Sequence, residues 1–194
     1  MLHSSTAVRA FSMRANYGLH FWEKALDTPT ARQGSPWRSL TGAWADMYSD
    51  CTHADPDRQI RGCTSVIERG KQVSRKNRAI AYFNRAVAYR KKGEYDRAIA
   101  DYTEAIALDP NDAIAYSNRG VAYKKKGEVD RAIADHTTAI ALDPDYAIAY
   151  FNRGVAYRKK GDKEQAIADF RTALEIDPSD RNAKNNLKAL GVTP

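Results

Sequence analysis

The sequence predicts an all-α protein in which antiparallel helix pairs stack in a row as an α-solenoid. The first observation behind this is a repeat of fixed length: Ala79–Asp112, Ala113–Tyr146 and Ala147–Asp180 follow one another without a gap. The first two copies are identical at 26 of 34 positions, and the third matches the second at 21 of 34. The second observation is that each copy contains two amphipathic segments, separated by a glycine and closed by a proline. Two helices per copy are therefore expected.

The first helix of copy one is predicted over Ala79–Lys92. Tyr82, Ala86 and Tyr89 are spaced by four and three positions, which places them on one stripe of a helix. Gly93 follows as a residue that ends helices.

The second helix is predicted over Asp96–Leu108, with an apolar face and a stop at Asp109-Pro110, because the residue before a proline disfavours helical geometry. Asp112 then stands where it can cap the next helix. The residues of the apolar face are Ala98, Ile99, Tyr102, Ala105 and Ile106.

This pattern closely resembles the motif of the tetratricopeptide repeat family, including its small bacterial members. The motif has an aromatic, a small residue and an aromatic in the first helix, then a small residue, a large aromatic, a small residue and a proline. These positions hold Tyr82, Ala86, Tyr89, Ala98, Tyr102, Ala105 and Pro110 in copy one, Tyr116, Gly120, Tyr123, Ala132, His136, Ala139 and Pro144 in copy two, and Tyr150, Gly154, Tyr157, Ala166, Phe170, Ala173 and Pro178 in copy three. The resemblance implies a right-handed superhelix of helix pairs and a protein that binds rather than catalyses.

The rest of the chain divides around these repeats. Residues 1–39 are predicted to be a weakly ordered basic leader that contains Trp22 and Trp37, and residues 40–78 a divergent helix pair with its linker. The divergent pair follows from the likeness of Asp57–Cys63 to Asp96–Tyr102, at an offset slightly longer than the repeat period. The repeats are 79–112, 113–146 and 147–180, and 181–194 is predicted to be a capping helix and tail.

The net charge of the chain excludes few classes of function. The formal net charge is +7, but it divides into +5 for residues 1–78, −1 for the repeats 79–180 and +3 for the end. Because the repeats are balanced, the net charge alone does not indicate a nucleic-acid partner. No apolar run long enough for a membrane span is present. The absence of a secretory signal pattern favours the cytoplasm, although a cysteine pair leaves an exported location open.

The family resemblance places the ligand surface on the first helices, where residues off the packing stripe face the concave side. This surface has an aliphatic row, an asparagine row and a cationic row. An amide can donate to and accept from the backbone of an extended peptide, and cations favour carboxylates. The cationic residues could equally complement the helix dipole. The predicted groove residues are Ile80, Phe83, Asn84, Val87, Arg90, Ile114, Ser117, Asn118, Val121, Lys124, Ile148, Phe151, Asn152, Val155 and Arg158, with Lys91, Lys125 and Lys159 beside the cationic row.

Some family members clamp a chaperone's terminal carboxylate with Lys, Asn, Asn, Lys and Arg. The corresponding positions here hold Phe83, Val87, Asn118, Ile148 and Asn152, of which only Asn118 fits. A clamp of that form is not expected.

Three arginines stand where the family often has leucine, and a buried guanidinium needs a partner. Each has an aspartate at the same fixed offset along the chain, on the second helix of its own repeat. We therefore expect ion pairs within each repeat: Arg85 with Asp101, Arg119 with Asp135, and Arg153 with Asp169.

His136 replaces a core aromatic and is predicted to be a packed, hydrogen-bonded histidine rather than a metal ligand. Two cysteines, Cys51 and Cys63, cannot complete a structural zinc site. They are predicted either to form a disulfide that links the divergent helices or to remain two thiols. No metal or cofactor is predicted.

The sequence therefore predicts a non-catalytic scaffold that binds an extended peptide or protein segment. Two alternatives remain: a helical-repeat protein that binds RNA, and a weakly self-associating repeat assembly.

Overall fold

The computed structural model describes residues 46–193, a set of helices without a strand. The predicted basic leader and all three tryptophans lie outside the described residues. The first helix, α1, covers residues 46–51. The others are α2 (Pro56–Glu68), α3 (Arg75–Lys91), α4 (Tyr95–Leu108), α5 (Ala113–Lys126), α6 (Val129–Leu142), α7 (Ala147–Lys160), α8 (Lys163–Ile176) and α9 (Arg181–Ala189), with a 3-10 turn at Gly70–Gln72.

The helices pack in chain order, each against the one before and the one after it. The most extensive contacts join the two helices of one repeat, α3 with α4, α5 with α6, and α7 with α8. Side-chain size explains this close packing, because small residues face the aromatic that fills the centre of each pair. Gly120 shows the constraint: a Cβ there would lie 2.9 Å from the ring of His136, too close for any real contact. The all-α solenoid predicted from the repeat period is confirmed.

The first helices lie on the inner side of the stack. From one repeat to the next α3 contacts α5 and α5 contacts α7, and the second helices do not contact one another to that extent. Elements on the inside of a curved stack are closer together than those on the outside. The free face of α3, α5 and α7 is therefore the concave surface.

Helix α3 begins at Arg75, about one turn before the predicted start at Ala79. The Ser74 hydroxyl accepts a hydrogen bond from the Asn77 amide and so caps the helix. In the added turn, the Arg75 guanidinium donates to the carbonyls of Leu108 at 2.8 Å and Ala107 at 3.2 Å. The earlier start thus supplies the end of α4 with a cationic cap.

At the N-terminal end, α1 and α2 lie side by side, and Cys51 and Cys63 form a disulfide. Both cysteines are buried. Gly62 lies where the helices cross, since a Cβ there would lie 2.5 Å from the Cys51 amide nitrogen. Helix α2 packs on α3 as each second helix packs on the next first helix.

At the C-terminal end, α9 covers the last repeat. Asp180 caps this helix by accepting from the amides of Asn182 and Ala183. Ala183 and Leu187 are fully buried, and Leu187 packs with Phe170 of α8. Leu190 is half-buried against the same cluster.

Candidate functional site

An exposed aliphatic row runs along the starts of α3, α5 and α7. Ile80, Ile114 and Ile148 keep 37%, 50% and 43% of their surface in solvent. They occupy the same position in each repeat, so the row extends from one repeat to the next. Large apolar side chains aligned in this way mark a contact surface more often than isolated ones do.

The asparagine row lies one helical turn further along the same helices. The Asn118 amide donates to the Ile114 carbonyl of its own helix at 2.9 Å. Within residues 46–193, no hydrogen bond engages the side-chain amides of Asn84 and Asn152. All three are half-buried, so each has amide groups to offer to a ligand backbone.

The floor between these rows differs in the second repeat. Phe83 and Phe151 are half-buried and contact the core aromatics Tyr102 and Phe170, each with ring centroids 5.7 Å apart. Ser117, at the corresponding position of α5, is only 2% exposed. The expectation that Ser117 faces a ligand is therefore wrong, because the smaller side chain lies below the surface that the phenylalanines reach.

The valines of the groove continue this apolar floor. Val87, Val121 and Val155 are half-buried. Val87 packs against the core of the first repeat and Val155 against that of the third. Of the three, Val155 also lies beside the cationic residues Lys124 and Arg158.

The cationic row lies at the ends of the first helices. Lys124 and Arg158, together with Lys125, Lys159 and Val155, line an open cleft of about 400 Å³ between α5 and α7. The guanidinium of Arg90 lies instead beside the core residue Tyr102. Burial raises the pKa of Tyr102 to about 12, and the neighbouring Arg90 partly offsets this.

The arginines predicted to form ion pairs within each repeat do so, and this prediction is confirmed. Arg119 Nε and one terminal nitrogen each donate to Asp135 at 2.8 Å. The Arg85–Asp101 and Arg153–Asp169 pairs repeat this two-point geometry, with distances between 2.7 and 2.9 Å. Hydrogen bonding to Asp135 is the main cause that raises the pKa of Arg119.

Each arginine also bonds the second helix that precedes its own repeat, a role that the sequence did not indicate. The other terminal nitrogen of Arg119 donates to the Thr103 hydroxyl of the preceding repeat at 3.1 Å. Arg85 reaches Thr64 at 3.0 Å and Arg153 reaches Thr137 at 3.2 Å. Because one planar guanidinium connects three helices, these arginines help to set the angle between successive repeats and hence the curvature of the groove.

His136 is fully buried in the second repeat. Its Nδ1 lies 3.4 Å from the Ser117 hydroxyl, and its Nε2 has no hydrogen-bond partner among the described residues. Burial, with smaller contributions from Lys124 and Arg153, lowers the pKa of His136 to about 3. The ring is therefore neutral at physiological pH and is part of the core.

Two further features bear on the class of protein. None of the helices in residues 46–193 is both long and apolar enough to cross a bilayer. Over the same residues, no group of three or more potential metal-ligating side chains converges on one point.

Comparison with known proteins identifies the family. The profile described as "TPR repeat" matches residues 86–127 and 122–161, and the profile described as "Tetratricopeptide repeat" matches residues 147–180. The chain belongs to the tetratricopeptide repeat family, whose fold generally serves protein interaction rather than catalysis. No curated protein sequence matches this chain significantly.

Solved structures agree with this membership. The TPR domain of Arabidopsis OM64 is 30% identical with a TM-score of 0.60, and the match covers 61% of this chain and 98% of that one. The second TPR domain of human RPAP3, solved in complex with the HSP70 peptide SGPTIEEVD, is 35% identical with a TM-score of 0.59 and coverages of 61% and 98%. The first TPR of Spaghetti (RPAP3), bound to the HSP90 peptide SRMEEVD, is 31% identical with a TM-score of 0.59 and coverages of 63% and 96%.

Proposed function

We propose that this protein is a non-catalytic scaffold that binds an extended peptide or protein segment along the concave face of α3, α5 and α7. The observation that carries the proposal is the exposed isoleucine row, which continues over three repeats beside a row of asparagine amides. Similar domains whose structures were solved with bound peptides support a peptide as the ligand.

The two rows suit the two parts of an extended chain. Asparagine amides can bond the donors and acceptors of a peptide backbone without regard to its sequence. The isoleucines and the half-buried valines can accept alternate apolar side chains, which would provide selectivity. A nucleic acid would instead require cations along the whole groove, and the repeats carry a net charge of −1.

Selection from a displayed library of random peptides tests the proposal. The wild-type chain should enrich peptides with apolar residues, and the triple variant Asn84→Ala/Asn118→Ala/Asn152→Ala should bind those peptides at least about tenfold more weakly, since one hydrogen bond contributes roughly 1 kcal/mol.

The matched control removes the same number of amides away from the groove. Its positions are exposed and lie in the loop before α5 and on α9: Asn111, Asn182 and Asn185, each changed to alanine. This control should retain wild-type affinity. Equal binding by the groove variant and the wild type would show that the concave face is not the site. Enrichment of no peptide, with steeply salt-dependent binding of single-stranded RNA, would favour the RNA alternative.

A further inference from the structure

One edge of the stack, formed by the ends of the second helices and the starts of the first helices, is here called the loop edge. The large apolar side chains of residues 46–193 that are more than a third exposed are Ile80, Ile114, Leu142 and Ile148. The isoleucines lie at the starts of α3, α5 and α7, and Leu142 lies at the end of α6. All four therefore lie on the loop edge. Leu142 belongs to a second helix, and the proposed peptide groove does not include it.

The loops along this edge divide into one basic segment and three acidic turns. The basic segment, residues 69–78, connects α2 to α3 and includes the first turn of α3. It contains five cations and no acidic residue: Arg69, Lys71, Arg75, Lys76 and Arg78. The acidic turns, 109–112, 143–146 and 177–180, contain two aspartates each and no cation. The loop edge is therefore positive at its N-terminal end and negative at the loops that follow.

Apolar side chains in the middle of a surface with charges around them are the usual composition of a protein–protein interface. Isoleucine and leucine side chains that stay exposed lack the hydrophobic stabilisation that burial would supply. The charged loops add orientation, because opposite charges attract and like charges repel across a contact. The loop edge is therefore suited to contact another protein surface in one orientation.

A second copy of this chain has charges that match the loop edge at both ends. Two copies related by a two-fold axis run antiparallel along such an edge, so one end of each copy meets the other end of its partner. Ile80 and Ile148 lie one repeat on either side of Ile114. An axis beside Ile114 therefore places the basic segment 69–78 of each copy opposite the acidic turn 143–146 of the other, and the two isoleucine rows along each other.

The acidic turn that meets its own copy at this axis is partly neutralised within each chain. This turn, 109–112, contains the exposed Asp109, whereas the Asp112 side chain accepts from the amides at the start of α5. The Arg75 guanidinium donates to the neighbouring Leu108 carbonyl at 2.8 Å, so a cation lies beside the turn. The two outer contacts, each between opposite charges, therefore determine the net attraction.

We propose that two copies of this protein associate weakly through the loop edge, as an antiparallel dimer with the isoleucine rows and Leu142 in the middle and the charged loops at the ends. The contact does not depend on the proposed peptide groove, because Leu142 and the charged loops lie outside it. The isoleucines belong to both surfaces, so a bound segment should compete with the second copy.

Charge reversal at the two ends tests the dimer, with the full-length protein followed by sedimentation velocity over a range of concentrations. The variant Arg69→Glu/Lys71→Glu/Lys76→Glu leaves two cations against three glutamates in the basic segment. The variant Asp143→Lys/Asp145→Lys reverses the turn opposite. Each variant alone should dimerise at least about tenfold more weakly than the wild type, because like charges then face each other. An equimolar mixture of the two should dimerise again, since each reversed loop meets its complement in the other variant.

The control variant Lys163→Glu/Lys188→Glu reverses two exposed cations near the opposite ends of the helices and should dimerise as the wild type does. The variant Leu142→Gln tests the apolar part of the contact. It should weaken the dimer about tenfold, while library peptides should bind its monomer as they bind that of the wild type. Because Leu142 is exposed, this variant keeps the fold and stays decisive if a reversed loop misfolds.

A wild type that stays monomeric at every concentration would overturn the proposal, and so would a mixture of the two reversed variants that forms no dimer. Equal weakening in the control variant would show only general electrostatic repulsion and would also overturn it. Dimerisation of Leu142→Gln at the wild-type strength would rule out the loop edge as the contact. The two proposals fail separately, because a wild type that dimerises in this way but enriches no peptide would refute the groove alone.

Discussion

Replacement of His136 by phenylalanine should remove a specific sensitivity of the fold to acid. The imidazole is fully buried, and its pKa is lowered to about 3, chiefly by burial. The third repeat shows that phenylalanine fits this site: Phe170 packs against Gly154 with the same 2.9 Å constraint that His136 imposes at Gly120. The substitution therefore removes the titrating group while it keeps a flat ring in the core.

The direction of the change in stability with pH follows from the protonation state of His136 in the folded and in the unfolded chain. In the unfolded chain the histidine binds a proton below its usual pKa of 6.5, whereas in the folded chain it stays neutral down to about pH 3. Stability contributed by the neutral ring is thus lost as pH falls from 6.5 towards 3. Relative to neutral pH, the stability that the histidine contributes should therefore fall by about 1 kcal/mol at about pH 5.5 and by about 2–3 kcal/mol at about pH 4.5.

Urea denaturation followed by circular dichroism, at about pH 7, 5.5 and 4.5, measures this difference. The gap in unfolding free energy between His136→Phe and the wild type should widen in favour of phenylalanine by those amounts. His53→Gln is a matched control, since it removes an imidazole that is not buried in the core. A gap that stays constant from neutral pH to the most acidic sample would refute the assignment of His136 as a neutral, desolvated ring.

Three further substitutions test the architecture by denaturation. Arg119→Leu should cost about 3 kcal/mol because it leaves the carboxylate of Asp135, only 6% exposed, without its partner, and the added change Asp135→Leu should restore most of that loss. Cys51→Ala with Cys63→Ala should cost about 3 kcal/mol under non-reducing conditions, because the disulfide closes a short loop, and intact mass before and after reduction should reveal the disulfide in the wild type; titration of two free thiols there would contradict it. Gly120→Ala should cost about 1–3 kcal/mol, since its Cβ would meet the imidazole ring at 2.9 Å, and an unchanged midpoint would contradict the close packing.

The repeat period predicted most of the fold because it shows which side chains pack in the core of each repeat. Small and aromatic residues recur at fixed offsets, so the helix pairs and their stacking followed from the sequence alone. The start of α3 was not predicted correctly from the repeat, because Ser74 and Arg75 lie before the repeat boundary. Ser74 caps α3 locally through the Asn77 amide, whereas the contact of Arg75 depends on the end of α4 being brought beside it by tertiary packing.

The candidate site was predicted as a pattern of rows, and the structure distinguishes residues that the pattern treats alike. Arg90 and Arg158 are equivalent in the repeat, yet Arg158 is exposed and lines the cleft, whereas Arg90 is half-buried beside the core residue Tyr102. Ser117 likewise occupies a groove position but is buried. Periodicity assigns a residue to a face, whereas its depth on that face depends on the neighbours that fill the core.

The hydrogen bond between an arginine and a threonine that joins successive repeats is replaced where α9 packs on α8. Each joint needs an arginine on a first helix and a threonine on the second helix before it, as in Arg153 with Thr137. One period later these positions hold Leu187 and Arg171. Leu187 is buried at the arginine position and packs against Phe170, while Arg171 is exposed at the threonine position. The contact between α8 and α9 is therefore apolar at the point where the preceding helices are joined by an arginine and a threonine, because a leucine needs no polar partner in the core.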